Sequence, residues 1–314
     1  MSYYPCELHC HTVHSDGGFL PAQLQQAARD NELSLIALTD HNTQSGYSEL
    51  DKSIIPVING IEWTTYFGHM LVLGANSFVD WRDAVPDNID SKIAEVKKNG
   101  GLVGIAHPFQ LGSPMCTGGR WEFNVNDWSQ VDYIEIWHMA FSPDNIENKL
   151  ATEFWTDLLD RGYRLGATNG KDWHRPVEGH YAVTYLDMDE PTPENALNAV
   201  KNGRTVVSSG AKLFFTVSVD GTDYGIGDTV PAGKATFRIF TDLYARREFA
   251  AAKDISYRCV KIVTNGGECV REASITETAC EVELVKGKWY RAELWGSFNG
   301  ADTLLAVTSP IYTD

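Results

Sequence analysis

Several absences narrow what this 314-residue chain can be. Its six cysteines, Cys6, Cys10, Cys116, Cys259, Cys269 and Cys280, include no C-x-x-C pair. So sparse a set argues against a disulfide scaffold and predicts buried free thiols. No apolar run approaches the ~20 residues that a membrane helix requires. Met1–Pro5 lacks the basic-then-apolar start of an export signal, so the expectation is a cytoplasmic protein with no membrane partner. Basic side chains are scarce, 26 Lys and Arg against 42 Asp and Glu, for a formal net charge of -16. A long nucleic acid is therefore a poor partner, because phosphate backbones are bound by clustered Lys and Arg. The acidity is less repulsive than the count suggests if some carboxylates hold divalent cations. A G-x-x-x-x-G-K-S/T phosphate loop and a G-x-S-x-G nucleophile elbow are both missing, which weakens nucleotide binding and serine catalysis as readings.

What is present is an ordinary globular composition, 43% hydrophobic, 22% charged and 11% aromatic, with no low-complexity segment or internal repeat. Up to about Arg204, short apolar runs alternate with helix-like segments, the pattern of an α/β region. The expected strands are Tyr4–His11, Leu33–Asp40, Ile55–Thr64, His69–Gly74, Leu102–His107, Tyr133–Trp137, Arg164–Asp172 and Tyr181–Leu186. Helices are expected at Pro21–Asn31, Asn88–Asn99, Pro143–Arg161 and Thr192–Asn202, with Pro21 and Thr192 as starts and Gly100, Gly162 and Gly203 as stops. The stretch Gln110–Gly119 reads as a loop. After Ser208 helical periodicity ends, and runs such as Leu213–Val219 and Ala235–Phe240 alternate between turn signals like Asp220-Gly221 and Asn265-Gly266-Gly267. That pattern suits a small antiparallel sandwich, so the expected division is residues 1–208 and 209–314.

All nine histidines lie between His9 and His180. On a strand, His9 and His11 point to one face, because successive side chains alternate. Other residues of metal-ligating type fall at strand ends: Asp40-His41 after the second run, Glu62 in the third, His107 after the fifth, Glu135 and His138 on the sixth, Asp172 and His174 after the seventh. A tight hairpin through Thr65–Gly68 would bring His69 to the same pole. A lone histidine is ordinarily a satisfied core or surface side chain, but that reading weakens when some seven segments each deliver a ligand type to one place. Imidazole and carboxylate without thiolate suit Zn, Mn or Fe.

These segments resemble the polymerase and histidinol phosphatase (PHP) superfamily, motif by motif: His9-Cys-His11-Thr-Val-His-Ser-Asp16-Gly, Thr39-Asp40-His41-Asn42, Gly60-Ile-Glu62, Gly68-His69, Ala106-His107-Pro108 and Asp172-Trp-His174. The resemblance spans about residues 5 to 208. Glu135-Ile-Trp-His138, Trp155, Thr184 and Gly203-Arg204-Thr205 look like the carbaryl-hydrolase-like (CehA/McbA) subgroup. It implies a distorted (β/α)7 barrel with metals at the strand C-termini. It further implies one metal on His9, His11 and Asp172, a second on His69 and His107 with Glu62 bridging, and a third on Asp16, His41 and His174. Asp40 would orient a ligand imidazole, Glu135 and His138 would support the centre or touch substrate, and Arg175 is a candidate clamp for an anion. Lys171 stands where the family often has a small residue, and a solvated or packing role is expected for it.

The expected cofactors are two or three divalent ions, Mn, Zn or Fe, and the expected nucleophile is a metal-bound hydroxide. A small-molecule phosphoester is the leading substrate class, with a carbamate or carboxylic ester as the alternative at the same site. A reading of another class is a catalytically inactive, metal-containing binding protein. The sequence is also compatible with an oligomer.

Overall fold

The computed structural model describes residues 2–112, 118–139, 145–176, 182–250, 254–276 and 279–314. The first half comprises β1 (Tyr3–Cys10), α1 (Pro21–Asp30), β2 (Leu35–Leu38), β3 (Val57–Thr65), β4 (Gly68–Leu73), α2 (Ile89–Lys98), β5 (Leu102–Ala106), β6 (Tyr133–His138) and α3 (Ile146–Asp160). Next come β7 (Gly166–Gly170), β8 (Val183–Asp187), α4 (Pro193–Lys201) and β9 (Thr205–Ser208). The remainder is strand apart from short 3-10 turns: β10 (Lys212–Val219), β11 (Thr222–Gly225), β12 (Thr229–Val230), β13 (Gly233–Asp242), β14 (Ile255–Thr264), β15 (Glu268–Ser274), β16 (Ala279–Leu284), β17 (Trp289–Phe298), β18 (Ala301–Thr308) and β19 (Ile311–Thr313).

The eight expected strands and four expected helices form within a few residues of their anticipated bounds, except that Pro143 and Tyr181 lie outside the described residues. Local chemistry explains the helix starts. Pro21 opens α1, Asn145 Oδ1 accepts the Asn148 N–H at α3, and Thr192 Oγ1 accepts the Asn195 N–H at α4. Gly100, Gly162 and Gly203 each follow a helix with positive φ. Buried apolar side chains then seat the helices, Leu24 and Ala28 from α1, Ile93 and Val96 from α2, Trp155 and Leu158 from α3, Ala196 and Val200 from α4. Each large aliphatic among them contributes about 1.5–3 kcal/mol.

The architecture is mixed α/β around a large sheet, and the seven β/α units of the expected barrel are not shown. Four α-helices lie among the described residues, and only α1 and α3 join parallel neighbours. A tight turn reverses the chain between β3 and β4, so β4 runs antiparallel to both β3 and β5, and β8 lies antiparallel to both β1 and β9. The hydrogen-bonded path runs β9-β8-β1-β2-β3-β4-β5-β6-β7. It does not stop at residue 208, because β9 pairs with β18, Val207 opposite Val307. A second sheet, β11-β10-β13-β16, packs its β10 against β17 and β18. The Asp220-Gly221 signal forms the β10–β11 turn, both residues with positive φ.

Cys6, Cys10, Cys259 and Cys280 are buried as expected, whereas Cys269 is exposed and Cys116 falls outside the described residues. No helix is long and apolar enough to cross a membrane among the described residues.

Candidate metal centre

The alternation of β1 turns Glu7, His9 and His11 to one side and Leu8 and Cys10 to the other, and all five are buried. The strand ends that follow deliver the rest. Glu62 comes from β3, His69 from the start of β4 through the tight turn, His107 from just after β5, Glu135 and His138 from β6, and Asp172 and His174 from just after β7. His107 and Asp172 both hold positive φ, +28° and +53°, a conformation side chains adopt only where their surroundings enforce it.

Glu62 is the hub. Its Oε1 lies 2.9 Å from His69 Nδ1 and 3.2 Å from His107 Nε2, while Oε2 lies 3.2 Å from His9 Nε2, 3.4 Å from His11 Nε2 and 2.8 Å from His41 Nδ1. Asp172 Oδ1 is 2.8 Å from His11 Nε2 and 3.3 Å from His9 Nε2, and its Oδ2 is 3.2 Å from His138 Nε2. Asp16 Oδ1 is 3.0 Å from His174 Nε2 and 3.4 Å from His41 Nε2.

Three groupings of donor atoms, each within 4.8 Å, match the implied metal positions: His9, His11, Glu62 and Asp172; Glu62, His69 and His107; and His11, Asp16, His41 and His174. Two others are His9, His107 and Glu135, and His107, His138 and Asp172. His9 Nε2, His11 Nε2, His69 Nε2, Glu62 Oε2 and Asp172 Oδ1 are all buried without a hydrogen-bond partner. Buried polar atoms are ordinarily satisfied, so this many orphans facing one another fit a site made for cations. The donor set, imidazole and carboxylate, suits divalent transition metals.

Electrostatics agree. Burial pushes the His11 and His107 imidazoles below their ordinary range, keeping them neutral as ligands must be. Burial also opposes charge on His9, but Glu135, Glu62 and Asp172 outweigh it and raise its pKa. Burial acts against ionisation of Glu62 and Asp172 too, yet His9 and the neighbouring imidazoles hold both well below the usual carboxylate range.

The remaining expected site residues divide. Glu135 supports the centre, its Oε1 3.0 Å from His9 Nδ1 and its Oε2 accepting the His107 N–H at 3.1 Å. His138 reaches Asp172. Asp40 does not orient an imidazole: its oxygens accept the Thr12 N–H, the Thr12 hydroxyl and the Ser15 hydroxyl, each at 2.7 Å, and so shape the loop after β1. That same loop turns at Gly17, where a Cβ would overlap the His11 main chain. Arg175 is exposed beside His174. Lys171 is buried rather than solvated, 6% exposed, with its ammonium 4.8 Å from the Trp173 ring centre. His14 stands apart, bonded to Ser45 and near Glu49, and His180 lies outside the described residues.

Three contributors were missed in the sequence. Thr64 Oγ1 meets His41 Nδ1, Asn148 Oδ1 accepts the His138 N–H, and Glu7 Oε1 accepts the His9 N–H. Thr64 and Glu7 each lie two residues from a ligand-type residue on the same strand face, a signal alternation provides. Asn148 on α3 carried no such signal.

No family model matches the chain. It is 28% identical over 163 residues to one uncharacterized protein of Methanocaldococcus jannaschii, covering 46% of this chain and 87% of that protein. A second uncharacterized protein of the same organism is 24% identical over 195 residues, covering 61% and 84%. Among solved structures, a two-domain protein from Bacteroides vulgatus, described as containing a predicted PHP-like metal-dependent phosphoesterase, superposes with a TM-score of 0.55 at 17% identity over 99% of this chain and 95% of that one. The chain therefore shares, over nearly its whole length, the fold of a two-domain PHP-like protein.

Proposed function

We propose that this chain is a metal-dependent hydrolase of the PHP superfamily that cleaves small-molecule phosphoesters. The observation that carries the reading is Glu62, fully buried, with one oxygen toward His69 and His107 and the other toward His9 and His11. A carboxylate so placed fits a bridge between two cations. His9, His11 and Asp172 would hold one ion, His69 and His107 a second, and Asp16, His41 and His174 a third. Ions of this kind acidify a water and polarise the bond to be broken. The likeness to the PHP-like fold and the ordered motif set support the family; the carbaryl-hydrolase-like subgroup rests on sequence motifs alone.

The protein's own contributions follow from position. Glu135 keeps the His9 ring oriented by accepting from Nδ1, a role such outer carboxylates play for ligand imidazoles. Arg175, exposed at the rim, is placed to meet an anionic substrate as it arrives, for which a planar guanidinium is well shaped. The test compares a phosphoester with a carbamate and a carboxylic ester of the same leaving group on one preparation at one metal loading. A higher kcat/KM for the phosphoester is expected. A higher value for the carbamate would reject the phosphoesterase assignment in favour of the subgroup, and bound metal with no turnover on any of them would favour a binding protein.

A further inference from the structure

Among the described residues, β7 has a hydrogen-bonded ladder on one edge only, with β6. Its other edge presents main-chain groups at alternate residues, and side chains from three strands and the C-terminal segment meet them in turn. Ala167 donates its N–H to Ser309 Oγ at 3.2 Å, and its carbonyl accepts from Thr205 Oγ1 at 2.7 Å. Asn169 donates to Thr184 Oγ1 at 2.8 Å, and its carbonyl accepts from the same hydroxyl at 3.2 Å. Lys171 donates to Glu7 Oε1 at 3.0 Å. Main chain meets main chain only past the strand, where Trp173 donates to the His9 carbonyl at 2.9 Å and His11 donates to the Trp173 carbonyl at 3.0 Å.

Glu7 differs from the hydroxyls in this seam. Its Oε1 also accepts the His9 N–H at 3.0 Å, at a point where the β1–β2 register shifts between Glu7 and Cys10. One buried oxygen thus ties the main chain at His9 to the main chain just before Asp172. A buried N–H left without an acceptor is costly, and Asp172 holds its φ of +53° only because its surroundings impose it.

We propose that Glu7 is a positioning residue of the metal centre, its Oε1 setting the span between His9 and Asp172 by accepting the N–H groups of His9 and Lys171. This rests on the metal-centre reading above, and it assigns Glu7 a role through an acceptor atom rather than through charge.

Two substitutions separate those roles. Glu7→Gln keeps an acceptor oxygen at the same reach and cannot ionise, whereas Glu7→Asp stays ionisable and withdraws the oxygen by one methylene. Mn2+ and Zn2+ affinity of the full chain would be measured by competition with a chelating dye, with circular dichroism as the check on folding. Glu7→Gln is expected within about twofold of wild type and Glu7→Asp weaker by about tenfold or more, the range in which outer partners of metal ligands act. The reverse order, or two equal effects, overturns the proposal. A wild-type chain that binds neither ion sinks the metal-centre reading itself, a separate result. Amide exchange at His9 and Lys171 in the wild type needs no variant: slow exchange at both is expected, and fast exchange at either overturns the proposal even if Glu7→Asp fails to fold.

Discussion

His9 Nδ1 lies 3.0 Å from Glu135 Oε1, both side chains are buried, and the space for that carboxylate exists only because residue 170 is glycine. A Cβ at Gly170 would overlap Glu135 Oε1. Gly170→Ala should therefore displace Glu135 and the His9 ring together, costing about 1–3 kcal/mol of stability as overpacking does and lowering metal content as well. Thermal melts with elemental analysis check both, and an alanine variant with wild-type Tm and metal content would show that Glu135 is free to move aside.

His69 touches one oxygen of Glu62, whereas Glu62 meets His69 and His107 with one oxygen and His9 and His11 with the other. His69→Ala should lose about one ion per chain, and Glu62→Gln more than one, if two ions share that carboxylate. Stoichiometry measured on metal-reconstituted protein decides it. Equal losses in the two variants would mean that Glu62 does not bridge.

pH should act in opposite directions on the two forms of the protein. In the metal-free form the carboxylates raise the His9 pKa, so that pairing stabilises fully below the ordinary imidazole value of about 6.5 and is lost as pH rises through the higher folded value. Glu62 and Asp172 are depressed, so their share persists above about pH 4.5 and fails only in stronger acid. The His9 share should thus raise the apoprotein's melting temperature near pH 5.5 relative to pH 8.5. An opposing share comes from His11 and His107, which burial depresses and which lose stability as pH falls below about 6.5, so wild type compared with His9→Ala isolates the trend. With metal the trend should invert, because protons compete with the ions for imidazole. Parallel trends in the two forms would contradict the assignment of these groups as ligands.

Arg175→Ala should weaken phosphoester turnover by about 1.5–3 kcal/mol, the worth of a charge-assisted hydrogen bond, and leave neutral esters almost unchanged. Equal effects on the two classes would remove the arginine from substrate recognition.

Much of this was legible in the residues. Strand alternation placed His9 beside His11, and the short link Thr65–Gly68 placed His69 with the other ligand types, as the structure has them. What was not legible depended on contacts that local pattern cannot encode. Asp40, adjacent to His41, looked like an imidazole partner, but the loop after β1 folds back and brings Thr12 and Ser15 to it. For Lys171 the residues left a solvated and a packing role both open, and only the tertiary structure decides for packing, buried against Trp173. Seven β/α units are not shown, for a topological reason: the hairpin at β3–β4 reverses β4 against both β3 and β5, and only α1 and α3 cross between parallel neighbours, fewer helical crossovers than the motif resemblance implies.

The pairing of β9 with β18 has a practical side for anyone shortening the chain. A product ending at Ser208 would keep β8 beside β9 but lose β18, exposing Val206 and Val207 on a bare row of N–H and carbonyl groups. Unprotected strands of that kind recruit further copies and aggregate. It would also lose Ser309, leaving the Ala167 N–H to find water. Insolubility of such a fragment would therefore report on an uncovered edge rather than on the chemistry of the candidate metal ligands named above, which come from the part retained.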